Sequence, residues 1–298
     1  MESINAQTAE PEMVRTSPSL FRTVFLPAII IIIGLSVLAY PVVATQWNNA
    51  KQQSAAQAYA DLEFGHDPSV LASTIVDARS YNDTRVNGPI LDPWLSRLSE
   101  DNVDYQAYLA QLSTFDVMAR LIVPSAKVDL PVFHGTSDEV LGKGVGHLYG
   151  TDLPVGGVGS HSALTAHTGM SNATLFDNLV DVEVGDAIYV QVSGEKLKYE
   201  VFDTDVVLPD QTDSLTPVAD KDLLTLITCT PYGVNSHRLL VHAERVEMDA
   251  MDEAFDKSGA VWQWWMIALV AFVLVAIALL MWWIFRQVRR SKTITEQG

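Results

Sequence analysis

Two long apolar runs bracket this chain, and they limit what it can fold into more than any other feature. Residues 24–44 form an uncharged, mostly apolar run interrupted by Pro27, Gly34 and Pro41, and residues 261–285 form a second in which Gln263 is the one strongly polar side chain. A helix needs about 20 apolar residues to cross the hydrocarbon core of a bilayer, so each run has the length of a membrane span. Trp262, Trp264 and Trp265 mark one end of the second run and Trp282 and Trp283 the other, as expected of rings at headgroup level. Arg15 and Arg22 precede the first run, and Arg286, Arg289, Arg290 and Lys292 follow the second. The positive-inside rule then puts both termini in the cytoplasm and everything between the runs outside. The first run also fits a cleaved signal peptide, although its length favours an anchor; both readings export the middle.

The exported part is acidic. Residues 46–259 hold 32 acidic and 13 basic side chains, a balance of −19, which argues against nucleic acid as a partner and describes a solvated acidic surface. Cys229 is the only cysteine in the 298 residues, so no intramolecular disulfide can form and the exported thiol is free to react.

Texture divides the middle again. Apolar spacing is compatible with helices at 50–62, 68–79 and 103–112. From Ala119 onward, short β-branched runs take over: Leu121 to Val123, Leu130 to Phe133, Ser162 to Ala166, Ala187 to Val192, Leu197 to Phe202 and Val206 to Leu208, separated by Gly, Pro, Asp and Ser. Many short strands at this spacing suggest a barrel or a sandwich. The expected organisation is a cytoplasmic N-terminus (1–23), a transmembrane helix or signal anchor (24–44), a helical preface (45–112) with a turn-prone segment at 88–96, a domain of short strands (113–248), a linker (249–260), a transmembrane helix (261–285) and a basic cytoplasmic tail (286–298).

Cys229 ends the strand-length run Leu223 to Thr228, which Pro231 and Gly233 stop. A second run starts at Arg238 and places Leu239, Val241 and Ala243 on one face, with mostly charged or polar residues on the other. If the two runs pair antiparallel through the loop 230–237, Cys229 and Arg238 meet at one end. A guanidinium near a sulfur favours thiolate, and its fork of donors can hold a carbonyl that turns negative during attack. The pair suits acyl transfer, for which His167 is the candidate proton shuttle, since imidazole titrates near neutrality.

These residues resemble the sortases, and specifically the class C, pilin-polymerising sortases of Gram-positive bacteria. Thr225 to Arg238 is similar to the TLxTC signature with its downstream arginine. Gly144 to Gly157 and the block around His167 are similar to the family's histidine region, and Asp92-Pro93-Trp94 resembles the Asp-Pro-aromatic lid of class C members. The resemblance covers roughly residues 80–247 and implies a mainly β fold, an eight-stranded barrel with a helical preface, flanked by two transmembrane helices. It also implies Cys229 as nucleophile, His167 as general acid and base, Arg238 as stabiliser of the substrate carbonyl, and a lid in which Trp94 covers Cys229 while Asp92 holds a polar partner. One departure is Thr168, where many class C members carry arginine. The implied reaction is attack by Cys229 on the threonine carbonyl of an LPxTG-like sorting signal. A pilin lysine then takes the acyl group, so the partners are pilin subunits and surface proteins with such signals. Alternatives are a sortase that anchors proteins to cell-wall peptide and a non-catalytic membrane-tethered binding ectodomain.

The other histidines (His66, His134, His147, His161, His237 and His242) read as surface or hydrogen-bonded structural residues. There is no HExxH spacing and no second cysteine for zinc, and Asp181, Glu183 and Asp186 lack an EF-hand loop pattern and read as a solvated turn. No cofactor and no metal are expected.

Overall fold

The computed structural model describes residues 21–85, 90, 92, 102–249, 254–255 and 259–295, with 291–295 as backbone only. It divides into two units, residues 1–40 with 262–298, and residues 41–261. Trp94 and most of the segment 88–96 lie outside the described residues, which there include Ile90 and Asp92.

The first unit consists of the beginning of helix α1 (Leu26–Phe64) and helix α5 (Trp264–Thr295). Both helices are long and apolar enough to cross a membrane, and their Ile30, Val37, Leu274 and Leu279 side chains are exposed. Pro41 lies inside α1 without ending it. The helix expected at 50–62 is therefore the distal part of one longer element.

The second unit is built on a closed eight-stranded barrel in the order β1-β2-β3-β4-β7-β8-β6-β5. Its strands are β1 (Ala119–Val123), β2 (Val128–His134), β3 (Val145–His147), β4 (Ser160–Thr165), β5 (Ala187–Val192), β6 (Glu195–Val207), β7 (Asp222–Thr230) and β8 (His237–Val246). Two runs expected as separate strands, Leu197 to Phe202 and Val206 to Leu208, fall together in β6, whose ladder with β8 passes a register shift between Val201 and Asp203. A bulge keeps the strand paired where acidic residues suggest a turn.

Alternation sorts the strand residues onto two faces. Leu164, Leu224, Leu226, Val241 and Ala243 fill the barrel interior with Leu121, Val132, Ile188 and Val190. Ala163, Ile227 and Leu240 point the other way and form a second apolar cluster with Leu148 and Leu215. A closed barrel removes exposed sheet edges.

A short helix, α4 (Asp138–Lys143), joins β2 to β3, and three other helices brace the barrel. Near the end of α1, Tyr59 donates to the Met118 carbonyl (3.1 Å) and accepts from Ser193 N (2.9 Å), while Glu63 accepts from Gln191 Nε2 (2.7 Å) and Gly194 N (2.9 Å). Helix α2 (Pro68–Thr84) begins with Asp67 capping Ser69 N at 2.9 Å. Just after α2, Arg85 makes a buried ion pair with Asp152 at 2.7 Å and donates to the Gly150 carbonyl, so the chain is fastened to the β3–β4 connection immediately before the segment 88–96. Helix α3 (Val103–Leu109) contributes Tyr108, which bonds the buried His147 at 3.0 Å. His147 also bonds the Asp152 carbonyl, and burial pushes its pKa down to about 3.

Leu226 is fully buried in the barrel interior. Leu226→Ala is expected to cost about 2–5 kcal/mol, seen as a lower Tm, whereas truncating the exposed Val184 should change stability by less than about 0.5 kcal/mol.

Candidate active site

The β7–β8 ladder places Cys229 directly opposite Arg238 and closes one step later with Thr230 opposite His237. The expectation that the two meet at one end of an antiparallel pair is met. On the other side of β7, β4 runs parallel to it, with Thr165 opposite Ile227. Side-chain bonds extend that contact past the last ladder pair. Thr165 Oγ1 donates to the Ile227 carbonyl (3.0 Å), Ala166 N to the same oxygen (3.3 Å), and Thr228 Oγ1 to the Ala166 carbonyl (2.8 Å). His167 follows Thr165 by two residues as Cys229 follows Ile227, so three neighbouring strands deliver these residues to one rim of the barrel.

Cys229 and Arg238 are each 8% exposed, and His167 is half-buried. Burial raises the thiol pKa and lowers that of the His167 imidazole. Desolvation penalises whichever form carries the charge, so both directions favour the neutral pair.

The family model for the sortase domain matches residues 121–246. Sortase C-1 of Actinomyces oris is 54% identical, covering 60% of this chain and 99% of its own, with a TM-score of 0.59. Sortase C of Streptococcus pneumoniae is 32% identical over 66% of this chain and 98% of its own, with a TM-score of 0.60. Sortase A of Bacillus anthracis is 29% identical over 46% of this chain and 63% of that protein. The chain belongs to the sortase family. The neighbours named sortase C place it in class C. The chain spans less than two thirds of the curated relatives it matches, 63% and 62% of their lengths.

In this sortase the Arg238 fork grips a carboxylate. Arg238 Nε donates to Asp92 Oδ2 at 2.6 Å and Nη2 to Asp92 Oδ1 at 3.1 Å, a bidentate pair with Asp92 5% exposed. Nη1 turns back to the Asn235 and His237 carbonyls, at 3.3 and 3.2 Å. Two residues before Asp92, Ile90 packs on the outer apolar cluster, and its carbonyl accepts from Thr212 Oγ1 at 3.1 Å. Ile90 and Thr212 were not singled out in the sequence, because nothing in their local pattern marks a contact 122 residues apart. The outer face of β8 carries mostly charged or polar residues, yet Arg238, Leu240 and His242 are all buried there. Asp92 lies on Arg238, and Ile90 and Leu215 pack in the cluster that holds Leu240.

Other predicted residues fall elsewhere. His134, His147, His161 and His242 are hydrogen-bonded within the fold. Among the described residues, no three His, Cys, Asp or Glu side chains converge on a common point that could hold a metal.

Asp92 acts on Cys229 through charge. Arg238 lowers the thiol pKa and Asp92 raises it. Because the thiolate is the anionic form, removing a neighbouring anion stabilises it and moves its titration to lower pH. Asp92→Asn should therefore speed alkylation of Cys229 at pH 7.5, by about tenfold for each unit of lowered pKa. A pH profile that coincides with the unaltered chain's would show that the carboxylate does not govern the thiol.

Proposed function

We propose that this chain is a cysteine transpeptidase that cleaves an LPxTG-like sorting signal between Thr and Gly and passes the acyl group to a lysine of a pilin subunit. The observation that carries the reading is the register of β4, β7 and β8, which supports a nucleophile, a proton shuttle and a cationic donor on one rim. Cys229 gives its proton to His167 and attacks the threonine carbonyl, and the developing oxyanion takes N–H donors from Arg238. The imidazolium returns the proton to the departing glycine amine, leaving a thioester on Cys229. A lysine amine then attacks the thioester, His167 accepts its proton, and the thiol leaves as an isopeptide bond forms. The sortase C of Streptococcus pneumoniae is described in connection with pilin substrate specificity, and this supports pilins as the substrate class.

The same Arg238 cannot serve a substrate carbonyl while Nε and Nη2 hold Asp92 and Nη1 holds the Asn235 and His237 carbonyls. Segment 88–96 is accordingly a lid. Ile90 packs on the apolar cluster beside the thiol's strand, and Asp92 occupies the guanidinium. The lid leaves before a sorting signal enters, and a sorting signal and the lid compete for Arg238. A relative of this chain, sortase A of Corynebacterium diphtheriae, has been solved as a lid mutant.

Helices α1 and α5 hold the enzyme in the cell membrane with both termini in the cytoplasm and the barrel outside. Sorting-signal proteins retained in the same membrane then meet it at raised effective concentration.

Incubating the chain with a sorting peptide and recording intact mass tests the reading. A thioacyl adduct on Cys229 that is absent in Cys229→Ala, and reduced by about 10²–10³-fold in Arg238→Ala, is the expected result. No adduct on the unaltered chain or on Asp92→Asn would overturn it. Deleting the gene separates the acceptors, because loss of a covalent pilus ladder marks pilin lysine and loss of monomeric wall anchoring marks cell-wall peptide.

A further inference from the structure

The connection that follows His167 is held from two sides, and one of them is helix α1. At its base, Phe176 N donates to the His167 carbonyl at 3.1 Å, and Asp177 Oδ1 accepts from both Gly169 N (2.7 Å) and Thr168 Oγ1 (3.0 Å). Asp177 therefore ties down the two residues immediately after the histidine. Its own backbone N–H donates to the Thr174 carbonyl at 2.9 Å. Gly169 adopts φ +77°, and a Cβ there would stand 3.6 Å from Gly233 N, so the loop also rests against the β7–β8 connection.

On the far side, Thr45, Asn48 and Asn49 of α1 lie on one helical face by their spacing. Asn49 and Thr174 bond reciprocally, Nδ2 to Thr174 Oγ1 at 2.8 Å and Thr174 N to Oδ1 at 3.0 Å. Asn48 Nδ2 donates to the Asn172 carbonyl at 2.8 Å, and Thr45 Oγ1 to the Ser171 carbonyl at 3.4 Å. The path from α1 to the histidine is thus short and continuous, through Asn49, Thr174, Asp177 and then Thr168 with Gly169. All of these residues belong to the same unit, 41–261.

We propose that Asn49 and Asp177 are positioning residues for His167, so that the polar face of α1 beyond its apolar run helps set the imidazole's place beside Cys229. The inference rests on the reading of His167 as the proton shuttle. Neither side chain is assigned contact with substrate. Thr168 takes a meaning from the same geometry. Where many class C members carry arginine, this chain places a small hydroxyl that reaches Asp177 and is buried in doing so.

The test uses the full chain in detergent, with single-turnover acylation by a sorting peptide followed across pH and the His167 titration followed by NMR. Asn49→Ala should lower the acylation rate constant by about tenfold, within the range such networks carry, with the half-saturating peptide concentration little changed. Asn49→Asp should restore most of the rate, because its two oxygens can accept from both Thr174 N–H and Oγ1–H. Asp177→Ala should also slow acylation, and the double variant should be no slower than the slower single, as expected of links in one chain. In Asn49→Ala the His167 titration should move up toward the ordinary imidazole range, since a loosened loop admits water to a ring whose pKa burial lowers. Alkylation of Cys229 should be unchanged throughout. Equal rates for Asn49→Ala and the unaltered chain, equal loss in Asn49→Ala and Asn49→Asp, full additivity in the double variant, or altered Cys229 alkylation would each overturn the proposal. If the unaltered chain forms no adduct, the transpeptidase reading fails. The NMR titration then decides positioning by itself, and coincident curves for Asn49→Ala and the unaltered chain would reject it.

Discussion

Everything at the candidate site depends on the pairing register of one strand. β7 is central, parallel to β4 on one side and antiparallel to β8 on the other. Because side chains alternate with period two, a slip of one residue would turn Cys229 into the barrel interior and bring Leu226 out. The filled interior prevents this. Leu224, Leu226, Val241 and Ala243 are buried together in the core, and moving them to the outer face would expose apolar side chains worth about 1.5–3 kcal/mol each for the larger ones. Core packing with no catalytic part of its own therefore fixes which side chains reach the rim.

A second constraint is electrostatic. The resting site holds a thiol shifted up and an imidazole shifted down, and its Arg238 guanidinium is paired with Asp92. A buried guanidinium left without an anion is costly, so some acceptor must occupy the fork at every stage. Asp92 fills that need in this conformation, and under the proposed mechanism a carbonyl becoming an oxyanion fills it during acyl transfer. The Arg238–Asp92 contact is thus compatible with reactivity only because the two acceptors exclude one another.

The sequence showed those parts of this arrangement that local patterns encode. A β-branched run ending in the sole cysteine, followed by a turn and an arginine-led alternating run, was enough to place Cys229 against Arg238. The runs at 121–123, 130–133 and 187–192 fall within β1, β2 and β5 for the same reason. What escaped depends on partners distant in the chain. Pro41 reads as an interruption, yet α1 continues through it, as apolar helices can when neighbouring groups adjust to the missing bond. Asp203 and Asp205 read as a break between strands, but β8 supplies His242 and Leu240 across from them and keeps β6 whole. Asn49 and Asp177 sit in unremarkable polar stretches, and only the folded chain brings them to the histidine loop.

The buried polar residues His161, Thr225 and His242 follow one hydrogen-bond logic. His161 Nδ1 faces the Thr216 carbonyl at 3.3 Å, so that nitrogen carries the proton. Burial lowers the His161 pKa to about 4, leaving the ring neutral near pH 7 and its Nε2 an acceptor. Thr225 Oγ1, 2.7 Å away, must therefore donate to it. Having used its one proton, the hydroxyl can only accept from His242 Nδ1 at 2.8 Å. The direction of the whole row is set by a backbone carbonyl in the β6–β7 connection, the same connection that supplies Leu215 to the apolar cluster. The β6–β7 connection is in this way tied to β4, β7 and β8 through the His161, Thr225 and His242 side chains.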